Sequence, residues 1–135
     1  MRKPAACLIA FLAASPASAE SYMTGTWFGQ GQPDDKSSMY IDRMRADGTW
    51  RGEYRTCFKN KAVDQVETGH WSLVGDILTL KVESVNGVPG PHTDGYKILS
   101  HDAQRQKYIS QGWRFTYTPQ RMPDDFQMPS CALTS

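Results

Sequence analysis

The feature that most constrains the fold of this chain is a two-residue alternation of apolar and polar side chains, interrupted by turn residues about every ten positions. In the segment 49–58, for example, Trp50 and Tyr54 alternate with charged side chains. This period is that of a β-strand, in which successive side chains point to opposite faces. No stretch of ten or more residues shows a helical period, and 101–106 could form only one short turn. The sequence therefore predicts an all-β protein.

Seven segments carry the alternation, and the last of them is expected to split or bend near Gly112. Asp47-Gly48 and Gly75-Asp76 predict tight hairpins between neighbouring strands. The segment 86–92 contains two prolines and two glycines, so it is predicted to be a flexible loop at one end of the sheet. The predicted strands are 24–30, 38–45, 49–58, 63–74, 77–85, 94–102 and 107–119.

About eight short strands without crossover helices predict an antiparallel up-and-down meander. Such a sheet has exposed edges unless it closes, and closure gives a small barrel whose interior is filled by side chains or holds one small ligand. A two-sheet sandwich fits less well, because sequential hairpins alone do not build Greek-key connections. We therefore expect a small, about eight-stranded barrel.

The first nineteen residues, 1–19, have the pattern of a signal peptide. Arg2 and Lys3 supply the positive start, 5–14 the short apolar stretch, and 17–19 the small residues accepted by a signal peptidase. The apolar stretch is too short to span a bilayer. We therefore expect an exported protein, located in the periplasm of a Gram-negative bacterium or secreted, with no membrane span after cleavage.

The mature chain, 20–135, has a length that supports one domain with one core. The signal contains two of the fifteen basic residues and none of the fourteen acidic ones, so thirteen basic residues face fourteen acidic ones after cleavage. The densest basic stretch, 43–55, is interrupted by Asp47 and Glu53, and a solvated strand face explains it better than a polyanion site. The near-neutral charge argues against nucleic acid and anionic membranes as partners.

Two cysteines remain after cleavage, Cys57 and Cys131. An even number of cysteines in an exported chain favours a disulfide. The alternative is a thiol nucleophile or a redox pair, but no CxxC spacing is present and no histidine neighbours either cysteine in sequence. We therefore predict a bond that ties the middle of the chain to its C-terminus.

A Gly-X-Trp triplet recurs at 25–27, 48–50 and 69–71. Each triplet is predicted to lie at or near the start of a strand, where glycine relieves crowding and the indole covers the core. The alternative is an aromatic cage for a ligand. The pattern resembles the calycin superfamily, the lipocalins and their relatives, in which a Gly-X-Trp on the first strand closes one end of an eight-stranded barrel.

The lipocalin resemblance implies structural roles for Gly25 and Trp27, and for an arginine that packs over this tryptophan, either Arg114 or Arg121. The chain is shorter than most lipocalins, lacks the Thr-Asp-Tyr motif between the middle strands, and has no predicted helix after the barrel. It is most similar to small exported lipocalin-like proteins of Gram-negative bacteria, a resemblance that implies fold and compartment rather than activity. Avidin-type barrels also begin with Gly-Thr-Trp, but the polar pattern of a biotin site has no match here.

Signatures of catalysis and of metal or cofactor binding do not emerge from the sequence. The three histidines show no metal-ligand spacing, and the paired acids on predicted loops do not form a two-carboxylate arrangement, since adjacent residues of an extended chain point apart. There is no GxSxG, P-loop or dinucleotide motif. We therefore expect no catalytic residues, no metal and no cofactor. The histidines are His70, His92 and His101, and the acid pairs are Asp34-Asp35 and Asp124-Asp125.

Three hypotheses remain for the function. The first is a binding protein for a small apolar or aromatic ligand, and its candidate wall residues are Trp50, Tyr54, Trp71, Tyr96, Phe115 and Tyr117. The second is an interaction module for an envelope or extracellular protein, which would use loops at 31–37 and 86–93. The third is a small enzyme, which would need convergent polar groups with shifted pKa values inside the barrel. The predicted rim of the opening consists of Asp34, Asp35, Pro89, His92 and Asp94.

Overall fold

The structure, a computed structural model, describes residues 21–33 and 35–133. The predicted signal peptide and Asp34 lie outside the described residues. Nine strands follow one another, and one turn of 3-10 helix, Cys131–Leu133, comes near the C-terminus. The strands are β1 (Gly25–Gln32), β2 (Asp35–Met44), β3 (Thr49–Phe58), β4 (Lys61–Val74), β5 (Ile77–Val85), β6 (Val88–His101), β7 (Gln106–Ser110), β8 (Thr116–Tyr117) and β9 (Gln120–Met122).

The strands form one antiparallel sheet in the order β8-β7-β6-β5-β4-β3-β2-β1-β9, which confirms the predicted meander. The two strands at the ends of this order, β8 and β9, are consecutive in the chain and joined by Thr118 and Pro119. β8 pairs with β7, β9 pairs with β1, and the Gln106 N–H donates to the Pro119 carbonyl at 3.1 Å. One continuous segment therefore brings both ends of the curled sheet together in a small barrel-like fold.

The two tight hairpins predicted at Asp47-Gly48 and Gly75-Asp76 are present, and their turn residues define the adjacent strand ends. Gly48 and Gly75 have φ angles of 88° and 61°, which glycine adopts without steric cost. In the first hairpin the Asp47 carboxylate also accepts a hydrogen bond from the Thr49 N–H at 2.9 Å. The strands that begin after these turns, β3 and β5, have the predicted bounds.

Because successive strands reverse direction, their connections alternate between two ends of the barrel. We call these the tryptophan end and the tyrosine end, after the aromatic residues that fill or line each. Segments at the tryptophan end are 21–24, 45–48, 75–76 and 102–105. Segments at the tyrosine end are Pro33, 59–60, 86–87 and 111–115.

The core occupies the tryptophan end and extends to the middle of the barrel. It is built from inward-pointing residues of alternate strand positions, as a half-buried sheet requires. Its buried members there are Met23, Trp27, Met44, Trp50, Trp71, Leu78, Leu80, Val82 and Ile98.

The C-terminal segment, residues 123–133, crosses the outer face of β1, β2 and β3. Arg43 donates hydrogen bonds to the Asp124 and Phe126 carbonyls at 2.9 and 2.6 Å, and the Phe126 ring packs on Phe28 at 4.9 Å between centroids. The predicted disulfide between Cys57 and Cys131 fastens the segment at its far end, with the two Cα atoms 5.4 Å apart. This cover explains why residues 39–42 of β2 are buried on both faces.

The structure corrects two details of the predicted fold and confirms a third. The segment 86–92 is not a loop: Asn86 and Gly87 make a two-residue turn, and β6 begins at Val88. Prolines are tolerated here because β7 pairs with β6 only from Tyr96 onwards, so the first half of β6 is a sheet edge where a missing N–H breaks no ladder bond. The split near Gly112 is confirmed by the gap between β7 and β8, whereas β9 was not predicted.

Candidate functional site

A cavity of about 330 Å³ opens at the tyrosine end of the barrel. Its inner part is lined by phenol rings and polar side chains, which include Gln32, Tyr40, Asp42, Tyr54, Tyr96, Tyr108 and Tyr117. Its mouth lies near the β3–β4 turn and includes Ser38, Thr56, Val63, Asp64 and Gln65. The cavity is the candidate site because it combines enclosure, aromatic walls and a few polar groups.

Three of the six predicted wall residues line this cavity, Tyr54, Tyr96 and Tyr117. The other three do not. Trp50 and Trp71 belong to the packed core, and Phe115 lies partly exposed in the β7–β8 connection. Trp50 and Trp71 were predicted wall residues, but their positions on the strands place them at the opposite end of the barrel.

Each tryptophan at the tryptophan end is buried with its indole N–H satisfied. Trp27 donates to the Met23 carbonyl at 2.8 Å, and Trp71 donates to the Arg45 carbonyl at 2.8 Å. Trp71 lies in the second half of β4, not at the start of a strand as predicted, because β4 runs toward this end. The Gly-X-Trp triplets therefore mark one end of the barrel and not one end of each strand.

Arg121 is the arginine that covers the first tryptophan. Its guanidinium carbon lies 4.3 Å from the centroid of the Trp27 ring. The same guanidinium donates to the carbonyls of Thr24 and Tyr22 and fills the space that a Cβ would need at Gly25. Arg114, the other sequence candidate, is exposed in the β7–β8 connection.

The tyrosines of the cavity form a cluster of rings in mutual contact. Tyr40 and Tyr108 share a hydrogen bond of 2.8 Å between their hydroxyl groups. Tyr117 packs edge-on against Tyr40 with ring centroids 5.8 Å apart, and Tyr96 packs edge-on against Tyr108 at 5.2 Å. Burial raises the pKa of Tyr40 and Tyr108 well above the ordinary phenol value. The hydroxyls of Tyr40 and Tyr108 are therefore neutral donors and acceptors at physiological pH.

Asp42 places a buried carboxyl group in the lining of the cavity. Its exposed fraction is 6%, and its carboxylate accepts a hydrogen bond of 2.9 Å from the indole N–H of Trp50. Burial raises the pKa of Asp42 to about 7, the Trp50 hydrogen bond opposes this rise, and the charge of Glu67 adds to it. The site therefore holds a carboxyl group that changes its charge near neutral pH.

Strand register explains how two acids come to lie on the inner face. Gly52 pairs with Asp42 on one side and with Glu67 on the other, and directly paired residues share a face of the sheet. A Cβ at Gly52 would lie 2.5 Å from the Trp50 ring and 2.9 Å from the Tyr54 ring. The glycine between the acids thus leaves room for the two rings.

The charges at the site are unbalanced. Among the described residues, the side chains that line the cavity include Asp42 and Asp64 but no lysine or arginine. Asp64, at the mouth, is paired with Arg55 on the outside at 2.7 Å. The inner carboxyl group of Asp42 has no such cationic partner among the ion pairs of the described part of the chain. The lining can therefore favour a donor or a positive charge.

The predicted rim residues are only partly placed by the structure. Asp34 lies outside the described residues, and Asp35 begins β2. Pro89, His92 and Asp94 belong to β6, not to a loop. His92 and Asp94 do approach each other, with His92 Nε2 3.4 Å from Asp94 Oδ2.

Sequence reasoning missed four residues of the inner lining: Gln32, Tyr40, Asp42 and Tyr108. A signal was present for two of them, because Tyr40, Asp42 and Met44 occupy alternate positions of one predicted strand. An acid on the face that otherwise carries a tyrosine and a methionine is unusual for a buried strand face. Gln32 and Tyr108 gave no comparable signal, because their contacts depend on how the barrel closes.

No family model matches this sequence, and no curated protein matches it significantly. Within the part of the chain that the structure describes, no helix is both long enough and apolar enough to cross a membrane.

Proposed function

We propose that this chain is a non-catalytic binding protein that holds a small apolar or aromatic ligand in the cavity of the tyrosine end. The observation that carries the proposal is the cavity itself, about 330 Å³ lined by five tyrosines. Its volume is about twice the ~150 Å³ of an apolar cavity that admits benzene. A ligand with one substituted ring therefore fits.

The polar groups of the lining specify the ligand further. A buried carboxyl group and aromatic faces are the two features that attract an organic cation. Asp42 supplies the carboxyl group, and Tyr40, Tyr54, Tyr96 and Tyr117 supply the aromatic faces. We therefore infer that the ligand carries an amine or another strong donor beside its ring, with the donor directed to Asp42.

A calorimetric titration with three ligands of one ring size tests both parts of the proposal. Phenethylamine carries a positive charge, 2-phenylethanol is neutral, and phenylacetate carries a negative charge. We expect measurable binding of the first two and the tightest binding for phenethylamine, by at least about tenfold, which corresponds to ~1.4 kcal/mol. Binding of phenethylamine should strengthen as the pH rises through about 7, because Asp42 then becomes charged.

The matched variants are Asp42→Asn and Asp125→Asn. The first removes the inner charge and should abolish the preference for phenethylamine over 2-phenylethanol. The second removes an exposed charge on the C-terminal segment and should leave the preference unchanged. If none of the three compounds binds the folded wild-type protein, ring recognition in the cavity is wrong; if Asp42→Asn retains the full preference, the role of Asp42 is wrong.

A small enzyme is the second candidate function, and one observation favours it. A carboxyl group with a pKa of about 7, placed in a cavity beside phenol hydroxyls, has the protonation behaviour that general acid–base catalysis uses. Mass spectrometry of each compound after prolonged incubation distinguishes the two functions. Unchanged compounds support binding alone, whereas a product that depends on Asp42 supports catalysis.

The protein-interaction alternative loses both loops on which it rested. In the segment 31–37, residues 31–32 belong to β1 and 35–37 to β2, and 86–93 is a tight turn followed by strand. For the compartment, the disulfide fits an oxidising environment outside the cytoplasm. We propose export to the periplasm or the medium, with cleavage after Ala19. Intact mass of the exported protein tests this, since it should begin at Glu20 and be two hydrogens lighter than the dithiol form.

We also propose a distant relationship to the lipocalins. It is supported by the contact of Arg121 with Trp27 and by the close packing of the same guanidinium against Gly25. These three residues occupy the positions at which the resemblance places a Gly-X-Trp and its covering arginine.

A further inference from the structure

Three ligand-type side chains meet on the inner face of the barrel outside the lining of the cavity. They are Glu67 on β4 and His92 and Asp94 on β6. His92 Nε2 lies 3.7 Å from Glu67 Oε1 and 3.4 Å from Asp94 Oδ2, and one donor atom from each residue falls within 4.8 Å of the others. The arrangement brings one imidazole nitrogen and two carboxylates to a common point.

The strands position this cluster without help from a loop. His92 and Asp94 are two residues apart on one strand and therefore share a face. Glu67 reaches them across β5, where the pairing is irregular on both sides: bulges fall between Thr68 and Gly69 on β4 and between Val82 and Ser84 on β5. Bulges redirect side chains near binding sites.

Hydrogen bonds fix the orientation of two of the three groups. His92 Nδ1 lies 3.0 Å from the Gly90 carbonyl, which can only accept, so the proton belongs on Nδ1. This leaves the lone pair of Nε2 directed at the two carboxylates. Gln65 donates to Glu67 Oε1 at 3.1 Å and holds that carboxylate in place. Oriented imidazole and carboxylate ligands of this kind are typical of metal centres.

The two carboxylates of the cluster have no lysine or arginine partner among the ion pairs of the described residues. Among the ion pairs of the described residues, His92 is the one basic side chain that contacts Glu67 and Asp94. Glu67 is nearly buried, with a side chain 9% exposed. Burial raises the pKa of Glu67, His92 lowers it, and the charge of Asp94 raises it further. Three acceptors facing one point repel one another unless a proton or a metal cation lies between them.

We propose that Glu67, His92 and Asp94 bind a divalent transition-metal ion, with Zn²⁺ as the ion that fits best. Bonds of about 2.1 Å in a tetrahedral site separate neighbouring ligand atoms by about 3.4 Å, close to the two measured distances from His92 Nε2. Nitrogen and carboxylate donors suit this ion class. Three protein ligands leave a fourth position for water or for a donor atom of a bound molecule.

The three proposed ligands do not line the cavity, although Gln65, which donates to Glu67, lies at its mouth. The competing explanation is an ion pair between a protonated His92 and the two carboxylates, with no metal. His70 supplies a matched control. Its Nδ1 lies 2.5 Å from Glu83 Oε1, and among the ion pairs of the described residues Glu83 is its only carboxylate partner.

The test uses metal-stripped, full-length mature protein titrated with ZnCl₂ in a calorimeter. We expect one tight equivalent for wild type and His70→Ala, and at least about a hundredfold weaker binding for His92→Ala and Asp94→Asn, since each loses a direct ligand. Gln65→Ala removes a supporting hydrogen bond and should weaken Zn²⁺ binding by about 10–100-fold. Circular dichroism melting of every variant checks that the fold is kept.

Cobalt substitution provides a second readout that does not depend on affinity. Co²⁺ at a tetrahedral site gives intense visible absorption, which should be present in wild type and in His70→Ala and lost in His92→Ala. Two outcomes overturn the proposal. No stoichiometric Zn²⁺ binding to wild type favours the ion pair, and binding that His92→Ala and Asp94→Asn leave unchanged places the ion elsewhere.

Discussion

The tryptophan end and the tyrosine end both bury large aromatic rings, but they satisfy the polar atoms of those rings in different ways. At the tryptophan end, the indole N–H groups of Trp27 and Trp71 are bonded to the backbone carbonyls of Met23 and Arg45, in the segments that close this end. At the tyrosine end, Tyr40 and Tyr108 bond to each other. The tryptophans belong to the packed core, whereas the tyrosines also line the cavity.

Asp42 marks the boundary between the two ends. Its carboxyl group accepts from Trp50, which belongs to the packed core, and it also lines the cavity. The comparison therefore separates stability from binding along the barrel axis. Substitutions at the tryptophan end should mainly lower the free energy of unfolding, and substitutions at the tyrosine end should mainly change the affinity for the ligand.

Truncation of Trp27 should have the largest effect on stability. Trp27 is 1% exposed and packs under Arg121, so Trp27→Ala removes a buried ring and leaves a cavity in the core. We expect the free energy of unfolding to fall by about 3–5 kcal/mol, measured by urea denaturation. Trp113→Ala is the control, because Trp113 is 79% exposed and should leave the midpoint unchanged. Equal midpoints for the two variants would contradict the structural role of Trp27.

The buried carboxyl group of Asp42 should make stability depend on pH. The folded protein keeps this proton up to pH about 7, whereas an unfolded chain releases it near pH about 4. Between these values the folded state binds more protons, so the free energy of unfolding should fall as the pH rises, by up to about 4 kcal/mol in all. The contribution of Asp42 is flat below about pH 4 and above about pH 7.

Asp42→Asn tests whether Asp42 causes this fall in stability with rising pH. Asparagine retains an oxygen that accepts from Trp50, but it carries no titrating charge, so the variant should be more stable than wild type at pH 8 and about equal to it at pH 4. Chemical denaturation at both pH values measures the difference. Parallel stability curves for the two proteins would show that Asp42 is not the source of the dependence.

Most of the sheet could be predicted from the sequence, because the signals for strands and tight turns are local. The bounds of β3 and β5 follow directly from alternation and from turn glycines at positions 48 and 75. The prolines of β6 led to the wrong prediction of a loop at 86–92. A proline disrupts a strand only where its missing N–H would have bonded to a neighbouring strand. That neighbour, β7, covers only the second half of β6, which no local pattern reveals.

The candidate site was less predictable than the sheet. Tyr54, Tyr96 and Tyr117 were placed in the wall from composition and period alone. Which end of the barrel each aromatic residue occupies depends on strand direction and length, and this sent Trp50 and Trp71 to the packed core. His92 and Asp94 were grouped on the predicted rim, but Glu67 lies on a different strand, so spacing alone gave no indication that it joins them.

Loss of the disulfide should loosen the outer cover of the barrel. Cys57 lies near the tyrosine end of β3, and its bond to Cys131 closes a loop with a sequence separation of 74 residues. Cys57→Ser with Cys131→Ser should lower the free energy of unfolding by about 2–4 kcal/mol. Hydrogen exchange of the reduced or doubly substituted protein should increase around Arg55 and Pro129, which share a hydrogen bond of 2.9 Å. Faster exchange at Trp27 instead would contradict the separation of the two ends.

The smallest expected effect concerns the hydrogen bond between Tyr40 and Tyr108. Either Tyr40→Phe or Tyr108→Phe leaves the other hydroxyl buried without this partner, which should cost about 1–2 kcal/mol of unfolding free energy. The double variant removes both hydroxyls, so its cost should be less than the sum of the single costs, with a coupling of about 1 kcal/mol. Urea denaturation of all four proteins measures this coupling. Strictly additive losses would mean that the hydroxyls do not depend on each other, and the contrast with the backbone-anchored indoles would then fail.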